Sequence, residues 1–286
     1  MREVITQAPR ACDLELPGGR LHARVWGPDD GSLVLCVPGL TSNCRVFDVI
    51  AERLAAEGHR VVALDLRGRG HSEVTPPGTY GWPAHARDVL AAAETLADEA
   101  PVDVVGHSMG AFVGMQAAAD APERVRRLVL VDAAGPPEPA VLGPIGQSIE
   151  RLGARSESVD EFFAVVRSAG LIEPWGPVWE RAYRHELVED DEGVRSRTSR
   201  EAVMEDLQHG SARDPRELWR GLRCPVLLVR AGLPLGDSGG FVLSAADRDA
   251  FAETVPRARV VEVQANHYGV IADPATAEAV AAFLET

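Results

Sequence analysis

The sequence predicts an α/β protein with a mostly parallel, doubly wound sheet of about eight strands. The first observation is a series of short runs that are apolar at successive positions, as in strands buried on both faces. The second is that longer helical patterns separate these runs along the chain. The third is the turn signal "PGG" at 17–19, flanked by two amphipathic runs, which predicts an N-terminal antiparallel hairpin.

The strands of the sheet follow in chain order. The hairpin strands are predicted at "CDLEL" and "RLHARVW". The later strands are predicted at "LVLCV" (33–37), "VVAL" (61–64), "VDVV" (102–105), "LVLV" (128–131), "VLLV" (226–229) and "VVEV" (260–263).

Three helices between and after these strands have readable ends. "FDVIAERLAAEG" stops at Gly58, and "ARDVLAAAETLADEA" leads into the strand at 102–105. "PATAEAVAAFLET" closes the chain, with Pro274 suited to a first helical turn.

Residues 136–222 interrupt the alternation and are predicted to form an inserted helical cap. They begin with "GPPEPAVLGP" and contain helical patterns around "DEFFAVVRSAG", "PVWERAYRHEL" and "SREAVMEDLQHG", with no convincing strand. The charged run "VEDDEGVRSRTSRE" is interpreted as a solvated loop in preference to an ion site. The core then comprises residues 1–135 and 223–286.

Composition limits the classes of function. The formal net charge of −14 over 286 residues argues against a nucleic-acid or anionic-membrane partner, and a monomer or homodimer is expected. The N-terminal sequence has no apolar run typical of a signal peptide, and no stretch is long enough to span a membrane, so a cytoplasmic location is expected.

The cysteines indicate neither a zinc site nor a disulfide framework. Four are scattered along the chain, and none forms a Cys-x-x-Cys pair. Cys36 and Cys224 stand in apolar settings next to or within strands, which is typical of buried thiols in a reducing compartment. No cofactor or metal is expected.

The segment "GHSMG" (106–110) places a serine in a G-x-S-x-G pattern. The strand "VDVV" precedes it and the apolar helix "AFVGMQAAA" follows it, which is the strand–turn–helix context that this pattern requires. A sharp turn forces Ser108 into a strained conformation and brings the strand and the helix close together. Positions 106 and 110 must therefore carry small residues, here Gly106 and Gly110. Ser108 is therefore a candidate nucleophile at the carboxyl edge of the sheet.

Three further motifs accompany this elbow: "VPGL" after the first parallel strand, "DLRGRGHS" (65–72) and "ANHYG" before the last helix. With them the chain resembles the α/β-hydrolase fold superfamily, in its cap-bearing serine hydrolase branch, over nearly its whole length. The resemblance implies an oxyanion hole from the backbone amides of Leu40 and Met109. Most relatives have His-Gly where this chain has Pro38-Gly39.

Among eight histidines, only His267 lies where the fold places the general base. It follows "VVEV" by a short loop and precedes the last helix, so it can reach Ser108. His107 occupies a variable position of the elbow, and His71 belongs to the "RGRGHS" loop. The others are interpreted as surface or packing residues: His22, His59, His85, His185 and His209.

The acid of the triad has two candidates. Relatives place it in a turn after the strand "VLLV", where this chain has Leu235, and Asp237 stands two residues later. The rival is Asp132, 24 positions after Ser108, at a strand end where some branches of the superfamily carry their acid. Asp132 is preferred because its backbone context is intact, whereas Asp237 needs a distorted turn. Both keep the order Ser, Asp, His.

A serine at the elbow implies hydrolysis of an ester or lactone through an acyl-enzyme. A C–C bond hydrolase or cofactor-free perhydrolase of the same fold is an alternative, as is a non-catalytic protein that binds a small ligand. The cap residues predicted to line an apolar pocket are Phe162, Phe163, Trp175, Trp179, Tyr183 and Met204.

Overall fold

The computed structural model of the chain describes residues 8–286, except for the side chain of Ser238. The expectation that the N-terminal sequence is not a signal peptide depends in part on residues 1–7, which lie outside the described residues. The strands are β1 (Arg10–Leu16), β2 (Gly19–Trp26), β3 (Leu33–Val37), β4 (Arg60–Leu64), β5 (Val102–His107), β6 (Val125–Val131), β7 (Arg155–Ser156), β8 (Leu187–Asp190), β9 (Gly193–Ser196), β10 (Val226–Ala231) and β11 (Ala258–Val263).

Eight of these strands form one sheet in the order β1-β2-β4-β3-β5-β6-β10-β11. The hairpin β1–β2 is antiparallel and joins β4 in antiparallel register, while the strands from β4 to β11 pair in parallel. The predicted fold class and the N-terminal hairpin are confirmed. The carboxyl ends of β3, β5, β6 and β10 therefore meet at one edge of the sheet.

The helices are α1 (Asp48–Ala56), α2 (Trp82–Ala97), α3 (Met109–Asp120), α4 (Leu142–Glu150), α5 (Val159–Ser168), α6 (Pro177–Glu186), α7 (Arg200–Ser211), α8 (Ala245–Thr254), α9 (Gly269–Ala272) and α10 (Pro274–Leu284). Helices α2, α3 and α8 cover one face of the sheet, and α1 and α10 cover the other. Leu35 packs toward the first face and Cys36 toward the second. Burial on both faces explains why these strands are apolar at every position.

The cap segment, residues 136–222, leaves the sheet after β6 and returns at β10, its neighbour in the sheet. The prediction that this segment contains no strand was wrong. Strands β7, β9 and β8 form a small antiparallel sheet beside α4 to α7.

The charged run interpreted as a solvated loop is the hairpin β8–β9. Gly193, with φ +112°, makes its turn possible. Asp190 forms ion pairs with Arg155 (2.6 Å) and Arg195 (3.7 Å) on the other two strands. Each strand of the hairpin carries one well-buried apolar side chain, Leu187 or Val194. This apolar alternation is too sparse to be recognised among so many charges.

Among residues 8–286, no helix combines the length and the apolar character that a bilayer span requires.

Candidate active site

Ser108 stands between β5 and α3 in a strained conformation, with φ 55° and ψ −123°. A Cβ atom at Gly106 would lie 2.2 Å from the Gly110 carbonyl oxygen, and one at Gly110 would lie 2.0 Å from the Val37 carbonyl oxygen. Neither position has room for a side chain, which is the physical reason for both glycines of the pattern. The turn leaves the Ser108 hydroxyl at the carboxyl edge of the sheet.

His267 lies between this hydroxyl and a carboxylate. Its Nε2 is 3.1 Å from Ser108 Oγ, and its Nδ1 is 2.8 Å from Asp132 Oδ2. The imidazole and the carboxylate are both buried, so these hydrogen bonds lie in a region of low dielectric constant. The arrangement lets the imidazole accept the hydroxyl proton while the carboxylate fixes its tautomer and orientation.

Asp132 is held rigidly between β6 and β10. Its backbone has φ 54°, unusual for a residue other than glycine, and its amide donates to the Val229 carbonyl at 2.7 Å. Its Oδ1 accepts a hydrogen bond from the Ala231 amide at 2.9 Å, which leaves Oδ2 for His267. The side chain therefore anchors the backbone and orients the imidazole at the same time.

Asp237, the other acid suggested by the sequence, lies in the exposed turn Gly236–Ser238. In the described part of the chain no hydrogen bond joins it to His267, whose Nδ1 is bound to Asp132. Leu235, which stands where relatives carry their acid, is buried and lines the cavity next to Ser108. At the position where an acid was expected, the cavity wall therefore carries the apolar side chain of Leu235.

Leu40 and Met109, whose amides are the predicted oxyanion-hole donors, both line the cavity beside Ser108. Neither amide has a hydrogen-bond acceptor among residues 8–286, so both are available to a ligand oxygen. Gly39 brings the first loop close, since a Cβ atom there would lie 3.1 Å from Ser108 Cβ. The two predicted oxyanion-hole donors therefore lie next to the predicted nucleophile.

Comparisons with known proteins place this geometry in a family. The family model for the alpha/beta hydrolase fold matches residues 32–274. The chain belongs to this family. The cap-bearing α/β-hydrolase resemblance read from the sequence is thus supported at the level of the superfamily.

Three relatives illustrate the likeness. The chain is 31% identical to 2-(acetamidomethylene)succinate hydrolase of Mesorhizobium japonicum over 80% of this chain and 78% of that protein. It is 40% identical to N-formylmaleamate deformylase of Pseudomonas putida over 129 residues, 44% of each protein. A crystal structure of E-2-(acetamidomethylene)succinate hydrolase superposes with a TM-score of 0.85 at 26% identity, over 98% of this chain and 100% of that one. The match spans less than half the length of this deformylase and of four other curated relatives.

His107 contributes a second imidazole to the site of this α/β hydrolase, and the sequence pattern did not reveal its role. Its ring stacks on that of His267 with 4.7 Å between centroids, and its Nε2 donates to the His267 carbonyl at 3.1 Å. Burial, together with the neighbouring His267, lowers the pKa of His107 well below its usual value. His107 is therefore neutral at neutral pH and holds the His267 loop without adding charge.

A buried ion pair contacts the loop that carries the predicted oxyanion-hole residue Leu40. Arg69 is fully buried and donates through Nε to the Leu40 carbonyl at 3.0 Å. Its guanidinium lies 2.6 Å from Asp206 of α7, which also contacts His85 of α2 at 2.9 Å. Burial alone would raise the pKa of Asp206, but the hydrogen bond from His85 and the charges of His85 and Arg69 lower it to about 2.

No motif indicated this network, because Arg69 occupies a position between the recognisable residues of "DLRGRGHS" and Asp206 belongs to a cap helix. The network joins the cap segment to the loop that carries the Leu40 amide. The position of that amide thus depends on a contact between two distant parts of the chain.

The cavity next to Ser108 has a volume of about 190 Å³ and a mainly apolar lining. The core contributes Leu40, Trp82, Met109, Phe112, Leu235 and Val242. The cap segment contributes Leu142, Ile145, Trp179 and Leu207, with the hydroxyl of Ser148 among them. The cap segment therefore forms one wall of the cavity.

Of the cap residues predicted to line the pocket, Trp179 does so. The others were misplaced, because most of them pack with one another against the buried cluster on the α1 and α10 face of the sheet. Phe162 and Tyr183 pack edge to face, and Trp175 stacks on Tyr183 at 5.7 Å and lies against Phe163. Met204 is 43% exposed on α7. Helix-spaced aromatic residues here stabilise the cap segment, and smaller aliphatic side chains border the cavity.

Proposed function

We propose that the chain is a serine hydrolase that cleaves a small or medium-sized apolar ester or lactone through an acyl-enzyme intermediate. The observation that carries this proposal is the hydrogen-bonded series Ser108–His267–Asp132 at the base of an apolar cavity. Membership of the α/β hydrolase family supports the hydrolytic chemistry, and the cavity supports the class of substrate.

The reaction follows from these contacts. Ser108 Oγ attacks the carbonyl carbon while His267 Nε2 takes its proton, and the carbonyl oxygen gains negative charge. The amides of Leu40 and Met109 donate to this oxyanion. The C–O bond to the leaving group then breaks, and His267 returns the proton to the departing alkoxide. A water molecule, activated by the same imidazole, hydrolyses the acyl-enzyme and restores Ser108.

Charge in the cavity favours an uncharged acyl group. The acetamidomethylene-succinate named for one relative carries carboxylates, which need cationic partners. Among the lining side chains that the structure describes, Arg213 is the only guanidinium or ammonium group, and it is exposed. Asp206, the acid of the lining, is paired with Arg69. An apolar ester or lactone therefore fits this cavity better than a dicarboxylic amide.

A covalent probe tests the nucleophile. A fluorophosphonate is expected to label Ser108 alone, identified by mass spectrometry of the digested protein. Ser108→Ala should lose the label and reduce kcat by more than about 10⁴-fold. Ser148→Ala, which removes another hydroxyl of the same cavity, should keep the label. Labelling that survives Ser108→Ala would refute the assignment.

A substrate panel tests the class. Neutral p-nitrophenyl esters of increasing acyl length and aliphatic lactones are compared with esters that carry a free carboxylate and with the matching amides. We expect neutral esters or lactones to have the highest kcat/KM. A preference for carboxylated amides would overturn the substrate class and retain the nucleophile. Labelling without turnover of any of these compounds would indicate a binding protein.

A further inference from the structure

Three histidines meet on the side of the molecule where the cap segment contacts the core; two of them, His22 and His185, are interpreted above as surface or packing residues, and His71 belongs to the "RGRGHS" loop. His22 belongs to β2, His71 to the loop after β4, and His185 to α6 of the cap segment. Their ring centroids are 5.1, 5.5 and 4.5 Å apart. Three imidazoles that bind one tetrahedral ion have centroids separated by about 5 Å, given metal–nitrogen bonds of about 2.0–2.1 Å.

A buried carboxylate completes the cluster. Asp65 is fully buried, and one ligand atom from each of His22, Asp65 and His185 lies within 4.8 Å of the others. Asp65 accepts hydrogen bonds from the amides of Cys44 (2.8 Å) and His71 (2.9 Å), which fix the orientation of its carboxylate. Two imidazoles and an oriented carboxylate are donors that suit Zn²⁺ and similar divalent ions.

We propose that His22, His185 and Asp65 bind a divalent transition-metal ion, beside the His71 ring, whose centroid is 4.5 Å from that of His185. In the structure a proton bridges His185 Nε2 and Asp65 Oδ2, which are 2.7 Å apart. Two donors of one tetrahedral zinc ion lie about 3.4 Å apart. The ion therefore displaces this proton and requires the two groups to separate by about 0.7 Å, which a rotation of the half-buried imidazole provides.

The groups around the cluster support metal binding. Asp13 Oδ1 lies 2.8 Å from His22 Nδ1 and so directs the other ring nitrogen to the ion, as outer carboxylates do for histidine ligands. The cluster adjoins an open surface cavity of about 910 Å³, through which an ion can enter. Three arginines line this cavity. Arg20 is 3.2 Å from Asp13 and Arg195 is 3.7 Å from Asp190, which offsets their charge, whereas Arg197 donates to the Leu187 carbonyl at 3.2 Å.

The ion would act as a clamp between the core and the cap segment. Its ligands come from β2, the loop after β4 and the carboxyl end of α6, elements that are far apart in the sequence. Cys44 Sγ is 3.5 Å from His185 Nε2 and so lies at the edge of the cluster.

Cobalt spectroscopy tests the site independently of any catalytic activity. Tag-free, chelator-treated protein is titrated with Co²⁺, and Zn²⁺ is then added in competition. We expect one equivalent of Co²⁺ to give the visible absorption of a tetrahedral site, and Zn²⁺ to abolish it and raise the Tm. His22→Ala and His185→Ala should each weaken binding by at least about 100-fold, and Asp13→Asn by about 10- to 100-fold.

Two matched variants complete the test. His59→Ala removes an imidazole outside the cluster, and Ser108→Ala removes the proposed nucleophile, so both should bind Co²⁺ like the unaltered chain. Circular dichroism verifies that each variant is folded. The proposal fails if the unaltered chain shows no tetrahedral Co²⁺ spectrum, or if His22→Ala and His185→Ala bind as tightly as His59→Ala.

Discussion

Two buried aspartate–histidine pairs in this chain have nearly the same geometry and different surroundings. Asp132 and His267 are 2.8 Å apart at the edge of the sheet, and Asp206 and His85 are 2.9 Å apart where α7 meets α2. His267 directs its second ring nitrogen to Ser108 Oγ at 3.1 Å. The second nitrogen of His85 is buried without a hydrogen-bond partner in the chain as described.

The partners of each carboxylate explain the contrast. Asp206 faces the permanent charge of Arg69 and accepts from the Gly81 amide at 2.5 Å, so it joins three segments of the chain. Asp132 has the Ala231 amide and the imidazole as partners, with no guanidinium among the contacts found in residues 8–286. A carboxylate beside an imidazole is therefore common to a structural joint and to the pair beside the proposed nucleophile. The adjacent hydroxyl and cavity distinguish the second.

The strongest test of this contrast replaces the acid beside His267. Asp132→Asn should lower kcat by about 10⁴-fold, because the amide stabilises the wrong imidazole tautomer and cannot stabilise an imidazolium. Steady-state kinetics on the best ester of the panel measure the effect, and the free energy of unfolding verifies the fold.

Asp237→Asn is the matched control, since this carboxylate lies in an exposed turn. Its kcat should remain within about twofold of the unaltered chain. A large loss in Asp237→Asn combined with a small loss in Asp132→Asn would reverse the assignment of the acid.

Replacing Asp206, the acid of the second pair, should lower the kcat less and the free energy of unfolding more than replacing Asp132. Asp206→Asn leaves the buried guanidinium of Arg69 uncompensated, which should cost about 3–5 kcal/mol in the free energy of unfolding. The kcat should fall by less than about 100-fold, because the Ser108–His267–Asp132 contacts persist while the Leu40 loop loosens. Urea unfolding and steady-state kinetics measure the two effects.

The double variant Arg69→Met/Asp206→Leu distinguishes the cost of an unpaired buried charge from the loss of the contact that holds the Leu40 loop. It removes both buried charges, so much of the lost stability should return. The Leu40 carbonyl loses its Arg69 donor, so the kcat should stay low. Recovery of full activity in the double variant would show that the ion pair does not position the oxyanion loop.

The sequence predicted the core well and the cap segment poorly, for physical reasons. Continuous apolar runs such as β3 identify strands covered on both faces, and the glycines around Ser108 mark a turn without room for side chains. The acid could not be decided, because both Asp132 and Asp237 preserve the chain order and the choice depends on which strand end faces His267. That placement is a property of the folded sheet.

The cap segment offered weaker signals. Its strands β8 and β9 are short and charged, and its aromatic residues follow a helical spacing that fits either a pocket lining or packing against the core. The contacts of Arg69 with Asp206 and of His22 with His185 join residues more than a hundred positions apart. No local pattern encodes such pairs, so the structure was needed to find them.

The smallest expected effect concerns His107, an imidazole of the active site without an acid partner. Its pKa lies well below the usual value in the folded chain because of burial. Below a pH of about 6.5 the unfolded chain binds a proton that the folded chain does not, so stability is present above this pH and is lost as the pH falls. Between pH 7.5 and 5.5 this one group should cost on the order of 1 kcal/mol in the free energy of unfolding.

His107→Gln keeps a donor for the His267 carbonyl and has no group that titrates in this range. Its stability should therefore fall by about 1 kcal/mol less than that of the unaltered chain between these two pH values, as measured by urea unfolding. His107→Phe lacks the donor as well, so it should share the shallower pH dependence but be less stable at pH 7.5. Equal pH dependence in all three chains would mean that His107 takes up a proton without unfolding, and that the stacked imidazole pair tolerates its charge.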